Sequence, residues 1–440
     1  MTAEQAGAVE PQPDYRTRQE GERSRSGKSA RGARELLRNR NFALLWFGQL
    51  LSQIGDQCLI VAGITLVSDL SSSPLAMLIP ALAIATPQLL FGLLGGVIAD
   101  RMDRKVVMVI ADILRALIVL PILLVTSLSQ IWILYLAAAG LALVGVSFYP
   151  ARNASLPKIV PEGSLVAANG LIQGSTVIAL VVGPAIAGVA VELWLPSAIL
   201  FDSATFLASA AAIGLMVIPC RDRGTSLASG GANVWGDVKA GLDFIYRSSI
   251  LRRVLIVTAV VTLGVGAVIL LAIPHLKARL GAGGLEYGLA MSVLGLGSLL
   301  GGVLVTRVSK RFSTSTLVGA MLMLAGVAIA AFAFAPSYVV VLASVVVIGM
   351  CLVVARGALN AVTQTLAPDE IRGRVQSAVN VIVVASTAIS EGLSAVMGSV
   401  IDIHTVFLVA GVITSVTGLA AIFVLRDAGR LVRAAIKEVA

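Results

Sequence analysis

Long runs of apolar residues, separated by short polar turns, fill most of the chain. Because a helix needs about 20 such residues to cross a hydrocarbon layer of ~30 Å, each run of that length predicts one membrane span. The candidate windows lie near residues 43–67, 75–99, 106–127, 131–150, 166–191, 197–218, 254–274, 287–306, 315–334, 338–355, 376–401 and 405–425. The pattern predicts an all-α membrane protein with twelve transmembrane helices.

A charged turn occurs twice, about half a chain apart. The first copy, Gly95–Lys105, reads GGVIADRMDRK, and a weaker copy, Gly301–Arg311, reads GGVLVTRVSKR. The loops after the fourth and tenth windows repeat at a similar offset, with residues 151–169 corresponding to residues 355–380. These repeats predict two pseudo-symmetric six-helix bundles.

Polar segments divide the chain into five parts. We expect a disordered basic tail at 1–35, an N-terminal six-helix bundle at 36–218, a connector at 219–250, a C-terminal six-helix bundle at 251–426 and a tail at 427–440. Within the connector, apolar residues at helical spacing predict a short amphipathic helix that lies against the membrane surface.

The first charged turn carries a family signature. Gly96, Asp100, Arg101 and Arg104 match the pattern G-x-x-x-D-R-x-x-R between the second and third helices of the major facilitator superfamily, which the chain therefore resembles. Asp103 stands where that family usually has glycine, and this variant is similar to the drug/proton antiporter branch with macrolide-efflux and enterobactin-exporter-like members. The resemblance implies the major facilitator fold, with a binding site between the two bundles that is exposed to each side in turn.

Composition and charge agree with a membrane location. Hydrophobic residues make up 57% of the chain and charged residues 13%, against roughly 25% charged residues in soluble domains. Lys and Arg cluster in the termini and in alternate loops, whereas the other loops hold only Lys277 and Arg279. By the positive-inside rule we expect a multi-pass inner (plasma) membrane protein with both termini in the cytoplasm. The net charge of +9 thus reflects topology and does not indicate a nucleic-acid partner.

Residues that could support catalysis or hold a metal are scarce. The three cysteines are widely spaced, there are two histidines, and no metal-ligand spacing or nucleophile–base pair stands out. We therefore expect neither an enzyme nor a metal or cofactor, and the resemblance implies a proton gradient as the energy source.

Acidic residues inside apolar windows are the main candidates for proton coupling. Charges deep in a membrane are costly and usually functional, which singles out Asp56 in the first window and Glu391 in the eleventh. Asp112 lies three residues before Arg115, so the two share a helix face, and both an internal ion pair and a transport role are open. Asp202, near the start of the sixth window, is an intermediate case.

Further candidates come from the loops and the polar positions of the windows. We expect the cytoplasmic gate to comprise Gly96, Asp100, Arg101, Arg104, Arg152 and Arg356. A fifth-helix motif of exporter type is formed by Gly183, Pro184 and Gly188, for which close helix packing is the alternative explanation. The substrate cavity is expected to include Gln53, Gln57, Gln173 and Asn380.

These features together predict a monomeric secondary transporter in the lipid bilayer. Its function would be to export a lipophilic small molecule, namely a drug, an antibiotic or a secondary metabolite, in exchange for protons. A siderophore exporter and a solute uptake symporter of the same fold are the alternatives.

Overall fold

The computed structural model describes residues 34–71, 73–91, 102–161, 163–217, 234–309, 311–368 and 371–426, and within them all regular structure is helical. The helices are α1 Arg40–Leu70, α2 Pro74–Phe91, α3 Arg104–Val119, α4 Trp132–Ile159, α5 Leu165–Gly214, α6 Val234–Arg247, α7 Ser249–Leu280, α8 Gly284–Val308, α9 Thr314–Ala333, α10 Tyr338–Leu366, α11 Arg372–Val400 and α12 Ile403–Val424. Two short 3₁₀ helices, Leu120–Leu124 and Leu128–Gln130, connect α3 to α4.

Ten helices of the described part of the chain are long and apolar enough to cross a membrane. The chain is therefore an all-α, multi-pass membrane protein, as the sequence predicts. The count of twelve is not confirmed, for two reasons. The predicted spans near 166–191 and 197–218 form the single 50-residue element α5, and α2 is described only as far as Phe91, short of the predicted end near residue 99.

The long element α5 is not one straight helix. Its backbone leaves the helical region at Trp194, where φ is −173° and ψ is 102°. Pro196 follows two residues later, and a proline disturbs a helix because it has no N–H to donate and its ring collides with the carbonyl four residues earlier. One helical segment therefore ends at Trp194, and a second segment begins after it.

Helices α1–α5 form one half of the molecule and α7–α12 the other. In the first half α1 packs along α5 and α3 packs on both α4 and α5; in the second half α9 packs on α12, α10 on α8 and α9, and α7 on α11 and α12. The two halves meet where α5 lies against α8 and where α2 lies against α11.

The helix ends form two distinct layers. At one end, which we call the basic end, Arg104 donates to the carbonyl of Ala154 (2.6 Å) and Lys105 to that of Met216 (2.8 Å). Asp103 caps α3 there by accepting from the N–H of Lys105 (2.8 Å), so the residue that departs from the family signature has a structural role. At the other end, which we call the Lys277 end, Lys277 donates to the carbonyl of Ser68 (3.3 Å).

The connector helix α6 packs on protein. A Cβ atom added to Gly241 would overlap the carbonyl oxygen of Arg374, and Ile245 is buried in an apolar cluster with Val375 and Ala378 of α11. The expected amphipathic helix is present, but the partner of its apolar side is the start of α11 in the second half.

Candidate functional site

Three acidic side chains and one arginine lie inside the first half. Asp112 and Arg115 come from α3, Asp202 from the second segment of α5 and Asp56 from the middle of α1. Asp112 and Asp202 are completely buried and Arg115 is 6% exposed. With every group ionised, this cluster would carry two net negative charges in a low-dielectric interior, where each unpaired charge is costly.

Arg115 is the only cation of this cluster, and its guanidinium group is held between charges and rings. Its Nη1 atom lies 3.5 Å from Oδ1 of Asp112, which is the ion pair that the spacing predicts. The guanidinium carbon lies 4.6 Å from the ring centre of Phe148 and 5.6 Å from that of Phe206. Because these faces attract a cation and exclude water, Arg115 is fixed within the bundle.

Asp202 is the acid whose importance the sequence left undecided. Both of its carboxylate oxygens are buried and make no hydrogen bond with any described residue. A Cβ atom at Gly55 of α1 would lie 2.6 Å from Oδ1 of Asp202, so the absence of a side chain at Gly55 makes room for this carboxylate. Its charge interacts with those of Asp56 and Arg115.

Asp56 is half-buried, in contrast to the two fully buried acids. It lies two helical turns from Gln49 on the same face of α1, and Oε1 of Gln49 lies 3.5 Å from Nη1 of Arg152 on α4. Asp56 also interacts electrostatically with Arg115 and Tyr149. The half-buried acid thus adjoins both the buried cluster and the polar groups toward the basic end.

Glu391, on α11, is a buried acid of the second half. It is 9% exposed and no described residue forms a hydrogen bond or ion pair with it. The neighbouring Ser390 hydroxyl donates to the carbonyl of Leu263 (2.6 Å), and the missing side chain at Gly266 allows α7 to approach at this level. No hydrogen bond or ion pair joins Glu391 to Asp56 within the described chain.

The structure describes three of the six predicted gate residues. Gly96, Asp100 and Arg101 lie outside the described residues. Arg104 is tied to α4 through Ala154, Arg152 donates to Asn153 (3.2 Å) and reaches Gln49, and Arg356 is exposed.

The predicted cavity residues divide into two groups. Gln53 and Gln57 are half-buried, and Gln53 is engaged with α5: its amide oxygen accepts from Thr176 (2.7 Å) and its amide nitrogen donates to Ser175 (3.3 Å). Gln173 and Asn380 are exposed near the basic end.

The fifth-helix motif lies in close contacts between helices. A Cβ atom at Gly183 would overlap the side chain of Gln57, and one at Gly188 would lie 2.9 Å from the carbonyl oxygen of Leu285 on α8. The carbonyl of Pro184 occupies the space that a side chain at Gly288 would need. These contacts agree with the packing explanation of the motif.

The α5–α8 contact closes at the Lys277 end and opens at the basic end. Residues seven apart share a face of a helix, so Gly288, Gly295 and Gly302 form one row on α8. Gly288 and Gly295 touch α5, whereas a Cβ atom at Gly302 would have no heavy atom of a described residue within 4 Å. The facing row of α5 behaves in the same way, since Gly188 is in contact and Gly174 has nothing within 4 Å. The two halves therefore diverge toward the basic end.

An ion pair across the halves marks the closed end. Lys277 at the end of α7 pairs with Asp69 at the end of α1 and also donates to the carbonyl of Ser68 (3.3 Å). Sequence reasoning missed this pair, although Lys277 is one of the few cations in the sparsely charged loops.

Comparison with known proteins identifies the family. The sequence profile of the Major Facilitator Superfamily matches residues 45–390 and 254–438. The chain belongs to this superfamily. It is a transporter, and the full-length relatives and structural neighbours described next are transporters as well.

Two relatives of this transporter align over most of their length. The MFS-type transporter YfiS of Bacillus subtilis is 26% identical over 87% of this chain and 93% of its own length. The multidrug efflux pump Tap of Mycolicibacterium fortuitum is 26% identical over 87% of this chain and 95% of its own. Macrolide efflux protein A of Streptococcus pyogenes is 31% identical, but over only 36% of this chain and 40% of its own.

Solved structures support the fold. A bacterial homologue of the lysosomal transporter Spinster, in an inward-facing and unoccupied conformation, aligns with a TM-score of 0.64 at 16% identity, covering 90% of this chain and 96% of its own. The nucleoside transporter NupG aligns with a TM-score of 0.68 at 14% identity, covering 87% of this chain and 98% of its own. At these identities the likeness establishes the shared architecture.

Proposed function

We propose that this transporter exports lipophilic small molecules in exchange for protons. Its twelve spans would be α1–α4, the two segments of α5 on either side of Trp194, and α7–α12. The observation that carries the proposal is the buried, incompletely neutralised cluster of Asp56, Asp112, Arg115 and Asp202, which lies inside the half that packs against its partner along α5.

The orientation follows from charge. Arg104, Lys105 and Arg152 lie at the basic end, and by the positive-inside rule this end faces the cytoplasm together with both termini. Because the halves diverge at that end and are in contact at the Lys277 end, the conformation is inward-facing. Rocking of the halves would close Gly174 against Gly302 and separate Lys277 from Asp69.

Proton coupling needs an acid whose charge is tolerated differently in the two conformations. Asp56 is our candidate for this acid, because it is half-buried beside the fully buried Asp112 and Asp202, which Arg115 alone must neutralise. Entry of one proton relieves the excess of negative charge. Glu391, which has no partner among the described residues, would serve as the acid of the second half.

The cytoplasmic gate would form when the basic end closes. Arg356 is exposed in the open state, and Arg152 contacts Gln49, Asn153 and the ring of Tyr149 (5.3 Å to the ring centre). Both side chains keep N–H groups for partners in the closed state. Asp100 and Arg101 of the signature would belong to the same gate. The cytoplasmic gate and the Lys277–Asp69 pair would then form in opposite conformations.

A lipophilic cation suits this interior better than a sugar or a nucleoside. Amide side chains are few: Gln53 is already hydrogen-bonded to α5, and Gln57 packs against Gly183. A neutral polar cargo would need many hydrogen-bond partners, whereas a lipophilic cation needs an apolar surface and an acidic side chain. The names of Tap and macrolide efflux protein A favour export. A siderophore, which is polar because of its metal-binding oxygens, is the alternative cargo for an exporter of this fold.

The direct test is transport by purified protein in proteoliposomes. With a lipophilic cationic dye and an imposed pH gradient, we expect dye to move against its own gradient only while protons flow in the opposite direction, and protonophore should abolish the movement. Dye that moves in the same direction as the protons would support an uptake symporter and contradict export by antiport.

The closed end offers a test of the ion pair between the halves. Lys277→Asp, which places two acids together, should shift the molecule toward the state that is open at the Lys277 end and reduce export about tenfold, in the range of a coupling free energy of roughly 1–3 kcal/mol. The charge-swapped double variant Lys277→Asp with Asp69→Lys should recover most of the activity. Normal export by Lys277→Asp would exclude a gating role, and a double variant no more active than the single variant would show that the loss does not come from the broken ion pair.

A further inference from the structure

A cavity lies at the Lys277 end, within the second half and away from the acidic cluster. It has a volume of about 390 Å³ and is bounded by the end of α7, the end of α11 and the start of α12. Its polar lining consists of His275, Arg279, Asp402 and His404. The chain has only two histidines, and both line this one cavity.

His275 has a buried ring nitrogen, Nε2, without a hydrogen-bond partner among the described residues. The side chain is 4% exposed, and its Nε2 atom is fully buried with no partner among the described residues. The ring lies between Phe332 (centroids 5.5 Å apart) and Phe407 (5.0 Å apart). The backbone of Phe332 and that of Ala333 lie beside this imidazole, but neither is a hydrogen-bond partner of Nε2. A buried polar atom of this kind needs a partner.

The start of α12 adds donors to the same cavity. Asp402 is the N-cap residue, yet its side chain makes no capping hydrogen bond. Its carbonyl accepts from the N–H groups of Thr405 (2.9 Å) and Val406 (3.2 Å), which leaves the N–H groups of Ile403 and His404 without a described acceptor. Free N–H groups at a helix N-terminus, with the helix dipole behind them, attract anions.

Arg279 is held in place at the opposite wall. Its Nε donates to the carbonyl of Ala335 (3.0 Å) and Nη2 to that of Phe334 (3.2 Å), so the end of α9 orients the guanidinium group. An arginine has five N–H donors, and the remaining ones are available to a ligand.

The charges around the cavity favour an anion over a metal. His275 faces Arg279 on its own helix and His404 and Asp402 from α12, whereas α9 contributes aromatic rings and α11 contributes Gly398. Asp402 is the only acid of this lining and is exposed. Within the described chain, no group of three His, Cys, Asp or Glu side chains has a geometry suited to a metal ion.

We propose that this cavity binds the anionic oxygens of a phosphate or sulfate group between Arg279, the two histidines and the start of α12. Anion binding and protonation of the lining imidazoles favour each other, because a protonated ring donates from both nitrogens, so binding is tighter at pH 6 than at pH 8. The group belongs either to a soluble anion or to a phospholipid head group at the membrane surface. This proposal is independent of the exported cargo.

Histidine NMR tests the proposal directly, because the full chain gives only two imidazole signals once any affinity tag is removed. Protein in dodecyl maltoside, an uncharged detergent without phosphate, is titrated with sodium sulfate at pH 6 and at pH 8, with sodium chloride as the ionic-strength control. A second preparation contains phosphatidylglycerol and no sulfate. We expect saturable shifts of both signals at pH 6, reduced at pH 8, with sulfate if the occupant is a soluble anion and with phosphatidylglycerol if it is a head group.

A matched pair of variants separates a built site from general charge. Arg279→Gln should weaken the response about tenfold, the order expected for a lost charge-assisted hydrogen bond. Arg311→Gln removes an exposed cation at the basic end and should leave the response unchanged. If neither sulfate nor phosphatidylglycerol shifts either signal at pH 6, or if both variants weaken the response equally, the proposal is wrong.

Discussion

Asp56→Asn should remove most of the gradient-driven export without unfolding the protein. The substitution keeps the shape of the side chain and removes the half-buried charge beside Asp112 and Asp202, which relieves electrostatic repulsion. Dye efflux driven by a pH gradient is expected to fall about tenfold or more, since coupling free energies are typically 1–3 kcal/mol. Exchange of dye at equal pH on both sides should persist, because it needs the conformational change and no net proton movement.

Two comparisons make this result specific. Asp243→Asn, on the connector helix, neutralises an exposed acid outside the cluster and should leave efflux unchanged. Asp202→Asn removes a buried carboxylate that has no hydrogen bond, so its thermal stability should be equal to or above that of the unaltered protein. Normal gradient-driven efflux by Asp56→Asn would exclude Asp56 from coupling and transfer that role to Asp202 or Glu391.

Leucine at two glycines of the same row on α8 should affect stability very differently. Gly295→Leu places a side chain against the carbonyl of Leu180, 2.7 Å from the position of its Cβ atom, and overpacking of this kind costs about 1–3 kcal/mol or more. We therefore expect loss of thermal stability and of the inward-facing state. Gly302→Leu adds a side chain to open space and should change stability by less than about 0.5 kcal/mol.

Gly302→Leu should nevertheless stop transport. Closure at the basic end would bring Gly302 against Gly174, and a leucine there would prevent it, so the molecule would remain inward-facing. Maleimide labelling of Asn380→Cys, in a background with Cys220→Ser, measures this: the labelled fraction should stay high in the leucine variant even under conditions that close the unaltered protein. Full transport by Gly302→Leu would show that the α5 and α8 rows do not meet at that level.

Several features of this protein follow from local patterns. Apolar runs alone predict the membrane class and the positions of most helices, because only a helix satisfies its own backbone hydrogen bonds in lipid. The signature around Arg104 indicates the superfamily, and the spacing of Asp112 and Arg115 predicts their ion pair, because residues three apart share a helix face.

Other features depend on helices that are distant in sequence. The burial of Asp202 against α1, close to Asp56, results from the close approach of α1 and α5 at Gly55. Sequence reasoning ranked Asp202 below Glu391 because its depth depends on this packing. The apolar windows also predict two separate spans on either side of residues 192–196. In the structure the helical conformation continues on both sides of a single non-helical residue, Trp194.

The sequence by itself determined that this is a helical membrane transporter, because hydrophobicity acts residue by residue and the family signature lies within one short stretch. Only the tertiary structure decided which end is closed, that Lys277 reaches Asp69, and that His275 and His404, which stand on different helices, line one cavity. Such pairings depend on how helices pack against one another, and packing is a property of the assembled bundle.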